Sequence, residues 1–371
     1  MAKPALPLMS NSSNEIVAGL TVATTGRYAR SGQQALDGIR LWQSYINESG
    51  GMVLAGRQLP VRLLYYNNQS RVSPTRRNVL RLLHFDRVSI LFGPYASVLA
   101  LAAAEEATRQ QRLLWNHGGA SDEIATRGFR VVSGLSPASD YLRGLPALLV
   151  ERWPQLRRIC LVLKANGTFA FDVARGLKEA VEETRAHELH NLLFIAPFNQ
   201  DALISGLTAL QPEVVVLAGA YEGETSILRE RSRWPASVKV TAAVAAGVNV
   251  FGEDLQGLAE GVIGPSQWEP EVQFDNIRGP DSRWFMENFQ LRFGSLPEYM
   301  AASSFALGLI VSECVRQCGS VEDEALLNAA AALDCNTFYG RFRIDPATGL
   351  QVGHRVLLVQ WQGGRKVVLR A

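Results

Sequence analysis

The sequence predicts an α/β protein built as two doubly wound, Rossmann-like lobes. Short Val/Ile/Leu-rich runs alternate with amphipathic stretches, the pattern of parallel sheets covered on both faces. That alternation runs through about residue 134 and then restarts at "YLRGLPALLVERW". The chain of 371 residues also exceeds what one core usually holds, so two lobes are expected.

The first unit is the strand "IVAGLTV" (16–22), the loop "ATTGRYARSGQQ" and a helix. In that helix Ala35, Ile39, Trp42 and Ile46 recur at four- and three-residue spacing and form one apolar stripe. "LPVRLLYYN" reads as the next strand. "SPTRRNVLRLLHF" reads as a helix that Ser73 can cap, with Pro74 in its first turn. "VSILFG", a helix from about Ser97 to Gln110, and "RLLW" complete the series. In the second series the strands are "RRICLVL", "NLLFIAPF", "EVVVLAG" and "SVKVTAAV", separated by helical stretches. A helical region from about Asp281 to Leu333 follows, then "TFYGRFRID", "HRVLLVQW" and "RKVVLRA", with "PATG" as a turn. Ligands of open α/β sheets bind outside the carboxyl ends of the strands. Here those ends carry the loops opened by Thr24, Gly93, Asn116, Leu163, Ala218 and Ala243.

Composition removes several classes of partner. Lys and Arg total 37 against 35 Asp and Glu, without a basic block, so nucleic acid is not an expected partner. The most apolar long stretch, "MAASSFALGLIVSECV", is broken by serines and Glu313, which argues against a membrane span. The start, "MAKPALPLMSNSSNE", lacks the continuous apolar core of a secretory signal. Two readings stay open: a chain that begins after a removed signal, and a cytoplasmic protein. Cys160 and Cys314 read as small buried apolar groups. The spacing of Cys318 and Cys335 leaves a disulfide between them open.

Enzyme signatures are missing. The sequence has no phosphate-binding G-x-x-x-x-G-K-[ST], no G-x-G-x-x-G behind the first strand and no G-x-S-x-G. "HELH" (187–190) lacks the spacing of a zinc motif and reads as solvated surface near a helix end. His117 lies near Ser121, yet no motif supplies a third group to orient it. The expectation is a protein without catalysis, metal or cofactor.

Over nearly its whole length the chain resembles the type I periplasmic solute-binding proteins, in the leucine-binding, branched-chain amino acid and amide branch that serves ABC transporters. The resemblance rests on the order and spacing of "IVAGLTVATTGRYARSGQQALDGIRLWQSYINESGG", "LFGPYASVLALAAAEEA", "NHGGASDEIATRGFR" and "TFYGRFRIDPATGLQVGHRVLLVQWQGGRKVV". It implies two lobes with a central cleft, joined by three crossing segments near 134–136, 264–267 and 338–341. Lobe one is then 14–134 plus 267–338 and lobe two is 135–266 plus 339–371, with 1–13 a flexible N-terminal segment.

The resemblance also implies a site. A ligand carboxylate would be held by Ser97 at the start of the helix after "GPYAS", beside Tyr95, and by Ala120 and Ser121 of "GGASD". The chemistry is reasonable because helix N-termini present free N–H groups and partial positive charge. Asp122 is expected to point away from that anion. On the facing lobe the implied aromatics are Tyr221 and Phe169, with Trp268 and Tyr28 at the rim. Relatives place an acid after the strand matching "KVTAAV", whereas "AAVAAGVNV" has none. Glu222 or Glu224 is left as substitute, or the ligand lacks an α-ammonium group. The implied function is a periplasmic or cell-envelope receptor that delivers a small amino acid, carboxylate or amide to the membrane subunits of an ABC permease. The alternative is a cytoplasmic amide-type sensor that controls a regulator.

Overall fold

A computed structural model of the chain describes residues 14–164, 167–194 and 199–370. The expected N-terminal segment 1–13 lies outside the described residues. Of the first lobe's strands, β1 (Ile16–Val22) opens the lobe, and β2 (Met52–Leu54) and β3 (Arg57–Leu59) form a small antiparallel hairpin. With β4 (Val61–Asn67), β5 (Ile90–Phe92), β6 (Leu114–Asn116) and β7 (Val131–Ser133), β1 builds a parallel sheet in the order β4-β1-β5-β6-β7. Its helices are α1 (Ala29–Glu48), α2 (Val72–Leu80), α3 (Ser97–Arg109) and the short α4 (Glu123–Thr126). In α1 the expected stripe is found, with Ala35, Ile39 and Trp42 fully buried. The start of α2 differs from expectation: it begins at Val72, Ser73 makes no cap, and the Thr75 hydroxyl bonds back to the Arg71 carbonyl.

The second lobe carries α5 (Leu145–Arg152), β8 (Arg158–Lys164), α6 (Thr168–Thr184), β9 (Glu188–Phe194), α7 (Gln200–Leu210), β10 (Val214–Ala218), α8 (Tyr221–Arg229), β11 (Val240–Ala243), α9 (Asn249–Leu255) and β12 (Ile263–Ser266). The strand β9 begins at Glu188, so His190 belongs to it and pairs with Cys160, and only His187 precedes it. Back in the first lobe come α10 (Ser282–Phe293), α11 (Tyr299–Cys318), α12 (Asp323–Ala332) and the hairpin β13 (Cys335–Thr337) and β14 (Gly340–Phe342). The chain closes with β15 (Leu357–Gln362), which adds antiparallel to β12, and β16 (Arg365–Arg370), which adds antiparallel to β15, giving the second sheet the order β16-β15-β12-β11-β10-β8-β9. All four cysteines are free, so Cys318 and Cys335 form no disulfide, and the Cys318 thiol faces the Ser320 carbonyl instead.

The buried residues divide as the sheets do. One core joins Ile16, Leu20 and Trp115 to Phe285, Phe305, Phe338, Phe342 and Ile344. The faces of the second sheet are covered by separate cores, one around Leu161 and Val216 and one around Val215 and Phe251. Because Phe342 and Ile344 still pack in the first lobe, the third crossing falls beyond the expected 338–341 segment. Further along, His354 is tied to Ser136 and Gln267 of the other two expected crossings. The Ser136 N–H donates to Gln267 Oε1 (3.3 Å), Gln267 Nε2 donates to the Ser136 carbonyl (3.1 Å), and Ser136 Oγ donates to the His354 carbonyl (3.2 Å). His354 Nε2 is 2.8 Å from the Gln267 carbonyl, which can only accept, so this nitrogen carries the proton. The ring also stacks on Tyr339, 4.5 Å between centroids.

Burial pushes His354 down to about 4. An unfolded histidine takes up its proton near pH 6.5, so the unfolded chain binds more protons than the folded one between about 6.5 and 4. Stability is therefore expected to fall as the pH drops through that window. His117, also pushed down to about 4 by burial, acts in the same direction. Urea unfolding midpoints measured from pH 7.5 to 4 check this, and His354→Gln should flatten the slope. An unchanged slope in that variant would remove His354 from the account.

Candidate ligand-binding cleft

The cleft is built from the loop after β6. Asn116, fully buried at the end of that strand, accepts the N–H groups of Gly118 (3.3 Å) and Gly119 (2.8 Å) on Oδ1. It donates from Nδ2 to the Gly119 carbonyl (2.7 Å) and to Ser133 Oγ (3.1 Å). Its two glycines are required by close approach. A Cβ on Gly118 would stand 2.9 Å from Tyr95 Cα, and one on Gly119 would stand 2.3 Å from the Ala100 methyl. So shaped, the loop lies against the N-terminus of α3. There Ser97 Oγ accepts the N–H of Ala120 and the N–H of Ser121, each at 3.1 Å. The hydroxyl proton of Ser97 is left for a further acceptor, beside a helix N-terminus suited to an anion.

The Ser121 hydroxyl is directed elsewhere. It donates to Asp172 Oδ2 of α6 (2.9 Å) and lies 3.0 Å from Thr168 Oγ1. The Asp122 N–H donates to the same Asp172 oxygen (3.0 Å), while Asp122 accepts from Arg175 Nη2 (2.6 Å) and from the Ser139 N–H (3.1 Å). "SD" is thus a clasp between the lobes. The Asp122 carboxylate turns toward a cation of its own, Arg175. His117 is fully buried with its ring held neutral, and the Ser121 hydroxyl turns to Asp172 rather than to it.

Tyrosines line the space between the lobes. The Tyr299 hydroxyl, at the first turn of α11, lies beside Tyr141 of the second lobe and Tyr95 of the first. Tyr95 also neighbours Ser31 and meets Tyr28 edge to face (6.0 Å), and Tyr141 meets Phe169 edge to face (5.3 Å). Tyr339 donates to Gln267 Oε1 at 3.4 Å. Burial raises the phenols of Tyr95, Tyr141, Tyr299 and Tyr339, Tyr141 to about 12, so these four remain neutral donors. At the outer edge the lobes touch through Arg30 and Glu253 (2.8 Å), Arg27 and Glu222 (3.7 Å), and the Asn249 N–H to Glu298 (2.9 Å).

The sequence model of the periplasmic binding protein family matches residues 15–366. The chain belongs to that family. Solved structures similar to this binding protein share its fold at low identity. The amino acid ABC transporter substrate-binding protein of Pseudomonas fluorescens Pf-5 is 18% identical with a TM-score of 0.81, over 96% of this chain and 95% of that one. The branched-chain amino acid transporter substrate-binding protein of Streptococcus pneumoniae, solved with isoleucine, is 17% identical with a TM-score of 0.79, over 96% and 100%. A solute-binding protein of an ABC transporter from R. palustris, solved with benzoate, is 16% identical with a TM-score of 0.77, over 96% of both chains.

The other expected site residues of the binding protein divide. Ser97 holds the Ala120 N–H, Tyr95 meets Tyr28 edge to face, and Phe169 meets Tyr141 of the second lobe. Trp268 departs from expectation: it is 4% exposed and packs edge to face on Phe285 and Phe338 in the first lobe's core. Tyr221 donates to Asp254 (2.7 Å) at the outer edge, and Glu222 is exposed and pairs across the lip with Arg27. Glu224 is 2% exposed, its carboxylate filled by the N–H groups of Gly219 and Ala245, both at 2.7 Å. Burial pushes it up to about 8. Neither acid turns toward the centre of the cleft. The residues missed from sequence are Tyr141, Tyr299, Tyr339, Glu298, Thr168 and Asp172, which carry no motif and reach the cleft only by folding.

The clasp changes the expected behaviour of Asp122. Asp122→Asn weakens the pair with Arg175, whose side chain is half exposed, and so favours the open lobes. The expected loss of ligand affinity is modest, about three- to tenfold, with Arg175→Ala matching it. Calorimetric titration checks this, and an Asp122→Asn protein that binds like the parent would show that the clasp does not contribute to closure.

Proposed function

We propose that this chain is an extracytoplasmic solute receptor of an ABC transporter, closing its lobes over a small amino acid, carboxylate or amide and presenting it to permease subunits. The observation that carries this reading is Ser97 Oγ gathering the Ala120 and Ser121 N–H groups at the N-terminus of α3, opposite a second lobe already linked to it. A carboxylate or amide oxygen is well matched to that arrangement, and burial between lobes gives it contacts available only in the closed state. The neighbours solved with isoleucine and with benzoate support the ligand size. A thermal-shift screen over aliphatic amino acids, aromatic acids, short amides and urea tests it. A true ligand at a hundred times its Kd should stabilise the fold by about 2.7 kcal/mol. Silence across the screen with folded protein would sink the reading.

A further inference from the structure

An α-amino acid enclosed between the lobes brings an ammonium as well as a carboxylate, and a buried ammonium without a carboxylate partner is strongly unfavourable. Among the described residues, four acids placed around this cleft are already engaged. Asp172 holds Ser121, the Asp122 N–H and Arg175, and Asp122 holds Arg175 and the Ser139 N–H. Glu224 is filled by backbone N–H groups. Glu298, buried at the start of α11, takes the Asn249 N–H from the facing lobe on both oxygens, at 2.9 and 3.2 Å. What the centre offers instead is aromatic. The Tyr299 hydroxyl lies beside Tyr95 of its own lobe and Tyr141 of the other, the phenols are neutral, and Phe169 meets Tyr141 edge to face within the second lobe. Such rings favour a third ring through edge-to-face and offset contacts, and their hydroxyls are donors for oxygen substituents.

We infer that the ligand is an aromatic carboxylate without an α-ammonium group, its carboxylate at Ser97 and its ring among Tyr95, Tyr141, Tyr299 and Phe169. The inference rests on the receptor reading above and narrows it. Calorimetric titration of the full chain with benzoate, 4-hydroxybenzoate, cyclohexanecarboxylate, L-phenylalanine and L-leucine tests it. Benzoate or 4-hydroxybenzoate should bind at least about tenfold more tightly than either amino acid, a difference of about 1.4 kcal/mol. Each should also exceed cyclohexanecarboxylate by about threefold or more, the size of an aromatic pair contact. Phe169→Ala, at a partly exposed position, should lower the aromatic affinities about tenfold and the cyclohexanecarboxylate affinity only about threefold, so that most of the preference for an aromatic ring is lost. L-phenylalanine or L-leucine binding as tightly as the aromatic acids would overturn the inference and leave the receptor reading standing. Equal binding of cyclohexanecarboxylate would also overturn it. No binding by any of the five, with the protein folded, would overturn the inference, and extension of that silence to the wider screen would sink the receptor reading too.

Discussion

Ser97→Ala is expected to weaken ligand binding by about tenfold to a hundredfold. The hydroxyl does two things at once: it accepts the Ala120 and Ser121 N–H groups, and it keeps a proton for the ligand. A hydrogen bond to a charged acceptor contributes about 1.5–3 kcal/mol, and 1.4 kcal/mol is a factor of ten. The variant also leaves two N–H groups without their acceptor and lets the loop after β6 drift from α3. Ser97→Thr restores the hydroxyl and should recover most of the affinity, which separates the chemistry from simple loosening. The measurement is titration with the best ligand of the screen. An alanine variant that binds like the parent would place the carboxylate elsewhere. Ser121→Ala is expected to act through the clasp with Asp172, so its loss should resemble that of Asp122→Asn.

Glu269→Ala is expected to destabilise the fold by about 3–5 kcal/mol, the usual cost of removing one partner of a buried ion pair. Glu269 Oε1 and Lys366 Nζ are 2.5 Å apart, with their side chains 6% and 8% exposed. The carboxyl is raised by burial and drawn back by Lys366. Without it the ammonium keeps only the Gly247 carbonyl, at 3.1 Å. The pair joins β16 of the second lobe to the segment just after the second crossing, so its loss is felt by both. Replacing both residues with methionine should recover much of the loss, because the two desolvation terms vanish together. Urea denaturation of the two variants decides the matter. A single variant losing less than about 1 kcal/mol would mean that water reaches Lys366.

The βα alternation was legible because each buried strand is a short branched-aliphatic run and each helix shows one stripe, as in α1. Ser97 was legible as a helix start, between a strand and an alanine-rich helix, while a role toward a ligand came only with the resemblance. The glycine pair reads as freedom of backbone angle, whereas the structure requires it for close approach, and the work of Asn116, whose side chain shapes the loop from inside, leaves no local sign. What stayed hidden depends on distance along the chain. Asp172 meets Ser121 across 51 residues, and Gln267 meets Ser136 across 131, and neither pairing leaves a local pattern. Trp268 was misplaced because an aromatic beside a crossing looks the same whether it turns to the cleft or, as here, to the core. Tyr299 and Tyr339 were overlooked because one phenol at a helix start or a hairpin turn has no period to mark it. The third crossing was set too early because "GRFRID" reads as a strand of either lobe, and only the burial of Phe342 and Ile344 decides between them.

The threading of the chain through three crossings bears on how the molecule is made. In the first lobe Trp42 donates to Ser312 (3.0 Å), and Gly38 admits the backbone of Ala301 where any Cβ would collide with it. The second lobe pairs Ile263 with Gln360. Each lobe therefore awaits residues far downstream. A ribosome that has delivered everything up to residue 281 has completed neither core, because α10 to α12 and β15 are still to come. Contacts of such long sequence separation slow folding. The chain is thus expected to finish folding after synthesis rather than during it, and no single cut through it would release one lobe intact.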